Sequence, residues 1–170
     1  MPNPRIVHSD EIVRLATWQN VAITDVRGEM DVARVQRLVR AVKALVTEFP
    51  NGIVTCAFIR ENVPVGSKEA RNEAAKFMKD LGDSCLRMAL VIEEQGIMAQ
   101  VLRTVVRGMN VITRNTRLVL FSEQGEAVDA LAPLVVSPRL GTNVAAELHA
   151  AIAAIRDGYG PRRPGQAVQR

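Results

Sequence analysis

Aromatic residues make up only 4% of the 170-residue chain, so its core has to be built from Val, Leu, Ile, Ala and Met. The same scarcity argues against a base-stacking nucleic-acid platform or a carbohydrate cleft. Histidine occurs twice, at His8 and His149, and cysteine twice, at Cys56 and Cys85. Residues so few and so scattered provide neither a zinc or non-haem iron set nor a disulfide framework, and no metal or other cofactor is expected. No apolar run reaches membrane-spanning length, and the opening MPNPRIVHSDE lacks the apolar core of a signal peptide. The expectation is therefore a cytoplasmic protein with neither a membrane nor a nucleic-acid partner. Gly28, Gly66, Gly96 and Gly108 stand singly, which excludes a Walker A loop and a dinucleotide fingerprint. Gly66-Ser67-Lys68 lacks the second glycine of a nucleophile elbow. The acid pairs Glu93-Glu94 and Glu123/Glu126 read as solvated carboxylates at element ends, and His149 as a surface or interface residue. No catalytic constellation emerges, so the chain reads as a non-enzyme.

What is present is the composition of a soluble globular protein: 48% hydrophobic, 24% charged, net charge +4. That charge permits an acidic partner without demanding one. Residues 1–10 read as a loose lead-in, because Pro2 and Pro4 oppose regular pairing. Ile12–Leu15 and Val21–Val26 read as a hairpin around Trp18-Gln19-Asn20, with Trp18 closing one end of the core. Asp31 is placed to cap a helix whose Val32, Val35, Leu38, Val39, Val42, Leu45, Val46 and Phe49 recur at helical spacing. Its other face, Arg34, Arg37, Arg40 and Lys43, reads as solvated.

The organising stretch is Ile53–Phe77. Ile53–Ile59 is a short apolar run of the kind buried on both faces of a sheet. Pro64 and Gly66 break the chain, and Ala70, Ala74, Phe77, Met78 and Leu81 form the stripe of a second helix. Ser67 reads two ways, as the N-cap of that helix or as a phosphoacceptor facing the positive helix end, with Lys68 and Arg71 as countercharge. Met88–Ile92 is a second buried strand, Ile97–Met109 a third helix, Leu118–Phe121 a last short strand and Glu123–Leu134 a fourth helix. Val54, Phe58, Met88, Leu90, Leu38, Val42, Phe77 and Leu102 are the expected core. Beyond the 11–136 unit, a linker and helix (137–158) carry the narrow stripe Val144, Leu148, Ile152 and Ile155, which can dock on its own domain or equally make a two-fold contact with a second copy. The homodimer is the reading slightly favoured. A basic Gly/Pro/Arg tail (159–170) follows.

This order of elements over Glu11–Leu134 resembles the STAS domain, the SpoIIAA-like fold of anti-sigma-factor antagonists. The resemblance implies an α/β fold: a mixed sheet of about five strands with about four packed helices, plus the extra C-terminal helix. In that family an Asp-Ser pair before the second helix carries a kinase-phosphorylated serine. Here Ser67 takes the serine position and Gly66 that of the aspartate, as in degenerate members without a phosphosite. The stretches Arg107–Arg114, Leu118–Phe121 and Glu126–Leu131 resemble the family's ending. The implied function is a non-enzymatic protein–protein interaction module, regulatory or scaffolding in bacterial signalling. Its candidate surface is Pro64, Val65, Gly66, Ser67, Lys68 and Arg71, and its partner is a protein. The alternative is a small-ligand or lipid-binding domain of the SpoIIAA/Sec14-like type, which needs an apolar cavity that so short a chain is not expected to hold.

Overall fold

The computed structural model describes residues 3–93, 95–113, 117–136 and 143–157. Six strands follow one another across a single sheet in chain order: β1 (Arg5–Ser9), β2 (Val13–Trp18), β3 (Val21–Val26), β4 (Ile53–Ile59), β5 (Cys85–Ile92) and β6 (Leu118–Phe121). The first three are antiparallel, and β3 through β6 run parallel. The parallel strands are joined by α1 (Val32–Glu48), α2 (Lys68–Leu81) and α3 (Gly96–Thr113); α4 (Gln124–Leu131) and α5 (Val144–Asp157) follow β6.

This topology dictates the layers. Each parallel connection moves one strand in the same direction, and right-handed crossovers then place α1, α2 and α3 side by side on one face. The chain returns over the opposite face as α4 and α5, whose Ala127, Val128, Leu131, Leu148, Ile152 and Ile155 share a core with Ile23, Val54, Cys56, Phe58 and Val91. The α/β class and mixed sheet are those expected, with six strands.

Three sequence expectations are revised. The lead-in contains β1, which pairs with β2; Pro4 lies just before the strand, where its missing N–H costs no ladder bond. The last helix is no appendage of an 11–136 unit. Leu148, Ile152 and Ile155 are fully buried against this chain's own sheet, so the stripe read as a dimer contact is spent internally. The arginine face of α1 is partly committed, since Arg34 binds both Asp10 and Asp31. The link at 137–142, Glu94, Gly158 and the tail 159–170 lie outside the described residues.

Trp18 is buried at one end of the core, as expected. Beside it, buried Asn20 ties three segments together: its Nδ2 donates to Gly52 O and Leu134 O at 3.1 Å each, and its Oδ1 accepts from Val136 N–H at 2.9 Å. Among the described residues, no helix is long and apolar enough to cross a membrane.

Candidate functional site: an apolar cleft under three helices

Neighbouring strands lie about 4.8 Å apart, whereas a helix with its side chains is about 10 Å wide. Three helices connecting consecutive strands therefore form a layer wider than the four strands they join. Two consequences are visible. The outer helix α3 overhangs, leaving Ile97 82% and Val111 78% exposed. Between the helices and the sheet there is a partly open cleft of about 240 Å³.

The floor of the cleft is a cross-strand row. Thr24 pairs with Ala57, and Ala57 with Leu90, across β3, β4 and β5. The small Ala57 at the centre of that row gives the cleft its depth. Val35 and Leu38 of α1, Ala74 and Phe77 of α2, and Leu102, Val106 and Met109 of α3 form its walls. Leu38 and Leu90, expected to be core, are only half-buried for this reason. The other six expected core residues are buried.

The mouth is the turn singled out from sequence. Pro64, Val65, Gly66 and Arg71 line the cleft, whereas Ser67 and Lys68 face solvent. Ser67 caps α2, its Oγ accepting from Ala70 N–H at 3.1 Å. Arg71 Nη1 donates to Gly66 O at 2.5 Å. A Cβ on Gly66 would stand 3.0 Å from Met30 O. An aspartate in the position where the resembled family carries one would thus press on the backbone leading into α1.

Sequence reasoning missed a second constellation, on the opposite face at the C-terminal ends of the strands. Asp25 is fully buried. Its carboxylate accepts from Arg27 Nε and Nη2 (2.8 and 2.6 Å) and from Arg60 Nε and Nη2 (2.8 and 3.1 Å). Arg156 of α5 lies over the Phe58 ring, 4.7 Å from its centroid, and pairs with Glu93, so that acid is not simply solvated. Arg156 Nε is buried 3.8 Å from Asp25 Oδ1 and has no hydrogen-bond partner among the described residues. The last carbonyls of α5 are capped by arginines: Arg14 reaches Ile155 O at 2.6 Å, and Arg27 and Arg60 reach Arg156 O at 3.4 Å. This is a latch holding α5 on the sheet. A charged aspartate inside the mostly apolar strand Val21–Val26 was its one sequence signal.

Other reactive groups stand apart from the cleft. Burial pushes the Cys56 thiol up to about 12 and Cys85 up to about 11, so neither supplies a thiolate near neutrality. Exposed His149 meets Gln124 at 3.0 Å. Among the described residues, no three of His, Cys, Asp and Glu cluster as a metal set.

No protein-family profile matches the sequence, and no curated protein matches it. A solved structure does: an uncharacterized protein of the DUF3478 family with a SpoIIAA-like fold, from Shewanella loihica PV-4. The likeness covers 76% of this chain and 92% of that one, with a TM-score of 0.51 at 16% sequence identity. At that identity, what the two chains share is the fold.

Proposed function

We propose that this chain, whose fold is SpoIIAA-like, works by binding rather than catalysis, and that its cleft holds a small apolar molecule or a short acyl chain. The observation carrying this reading is the lining. Of the described side chains around the cleft, Thr24 and Arg71 alone carry nitrogen or oxygen. Such a cavity favours apolar ligands because, away from Thr24 and Arg71, its walls offer water few of the hydrogen bonds it has in bulk. An apolar cavity of about 150 Å³ already takes up benzene, and this one, at about 240 Å³, is larger.

Calorimetric titration with octan-1-ol, a neutral probe, tests the reading. The wild type should bind it, and Ala57→Phe, which fills the floor, should weaken binding at least tenfold while still folding. Native mass spectrometry of the purified protein should in addition show a retained small molecule. Equal affinity of the two proteins for octan-1-ol would refute the cleft as the binding site.

A second reading is favoured by the exposure of Pro64, Ser67 and Lys68 around that same mouth. Here the turn docks a protein partner, and the domain regulates or scaffolds a bacterial signalling assembly. A phosphate on Ser67 would put negative charge at the positive end of α2 and alter the docking face. An empty cleft together with a partner-binding defect in Ser67→Asp would favour this reading over the first.

A further inference from the structure

We infer that the cleft selects an amphipathic anion, an acyl chain whose carboxylate is met by Arg71. This rests on the cleft being the binding site proposed above and adds the chemical class of its ligand. Arg71 projects from the beginning of α2, is half-buried and lines the cleft beside Gly66 and Ala70. Its Nη1 donates to Gly66 O at 2.5 Å, which holds the guanidinium against the mouth and leaves its other N–H groups for an acceptor.

Arg71 lacks the carboxylate partner that several, though not all, of the other half-buried arginines have; Arg87 and Arg103 are likewise paired with none among the described residues. Arg27, Arg34, Arg60, Arg117 and Arg156 each meet a carboxylate, but among the described residues no carboxylate is paired with Arg71. Glu69 and Glu73, two residues away on either side along the helix, point off in other directions. The first turn of α2 adds the positive end of a 14-residue helix, and Gly66 and Ala70, which flank that end, line the same wall. A neutral ligand would leave this cation against an apolar cavity without a counter-ion. A cationic amphiphile would be repelled. A carboxylate gains charge-assisted, bidentate hydrogen bonds while its chain enters the cleft.

The test compares octanoate, octan-1-ol and octylamine by calorimetry at pH 7.5 on wild type, Arg71→Gln and Arg71→Lys, with thermal melts confirming that each is folded. The glutamine amide can still donate to Gly66 O, so the turn has a substitute for the lost bond. Wild type should bind octanoate at least tenfold more tightly than octan-1-ol, and octylamine most weakly. Arg71→Gln should lose at least fivefold for octanoate and stay within twofold for octan-1-ol, whereas Arg71→Lys should retain the preference for the anion. Equal wild-type affinity for octanoate and octan-1-ol would overturn the inference and leave the apolar-cleft reading standing. Failure of all three probes to bind would overturn both.

Discussion

Replacing Asp25 by asparagine should be among the most damaging isosteric changes in the protein. The carboxylate is fully buried and accepts four hydrogen bonds from Arg27 and Arg60, 2.6–3.1 Å long. An amide keeps one acceptor oxygen and turns an NH₂ donor toward guanidinium donors, so one side of the cluster loses its bonds and meets repulsion. Breaking a buried ion pair by removing one partner costs about 3–5 kcal/mol. The Arg27 and Arg60 side chains keep 14% and 35% of their exposure and can draw in water, which favours the lower end of that range. For a chain of this size, a loss of about 3 kcal/mol corresponds to a melting temperature lower by about 6–12 °C. Circular dichroism melts and urea titration at pH 7 measure the loss. Hydrogen exchange should show α5 losing protection ahead of β4, because the same arginines hold the Ile155 and Arg156 carbonyls. A loss below about 1 kcal/mol, the range of an exposed pair, would refute the latch.

Asp10 gives a pH signature. Burial alone would raise its pKa, but the Val13 and Ile12 N–H groups, His8 and Arg34 together hold it at about 2, below the usual 3.8. A depressed carboxylate stabilises the fold above its unfolded pKa and stops doing so as pH falls through the folded one. The stability gap between wild type and Asp10→Ala should thus be on the order of 1–2 kcal/mol at pH 6 and shrink between about pH 4 and pH 2; a gap that does not change with pH would contradict this. Ser67→Ala should cost about 1 kcal/mol through the lost cap on Ala70, whereas Ser67→Asp should melt close to wild type. If Ser67→Ala melts like the wild type, the cap contributes nothing. A chain ended at Val136 should lose cooperative unfolding, because it uncovers the face that Leu148, Ile152 and Ile155 bury. A sharp, wild-type-like melt for that truncation would show α5 to be dispensable.

The sequence by itself determined the features that depend on neighbours along the chain. Helical spacing from Val32 to Phe49 marked α1, the apolar runs Ile53–Ile59 and Met88–Ile92 marked the central strands, and a serine after Pro64 and Gly66 marked the start of α2. Each is local: a cap acts three residues away and a helix stripe repeats every turn, so both are legible without a partner. Ser67, Gly66 and Arg71 were visible as a turn for that reason, but not that Gly66 and Arg71 bound a cavity while Ser67 faces away. Tertiary structure alone decided what depends on what packs against what. Leu90 and Leu38 have the pattern of core residues, yet the width of three helices over four strands leaves them lining a cleft. The stripe of α5 has the same pattern whether it meets a second copy or its own sheet; only the return of the chain over the free face of β2 and β3 puts it inside. Asp25, Arg60, Glu93 and Arg156 come from three strand ends and a late helix, and no spacing in the sequence brings them together. Their meeting follows from the parallel register of β3, β4 and β5, which aligns those strand ends beneath the last turn of α5.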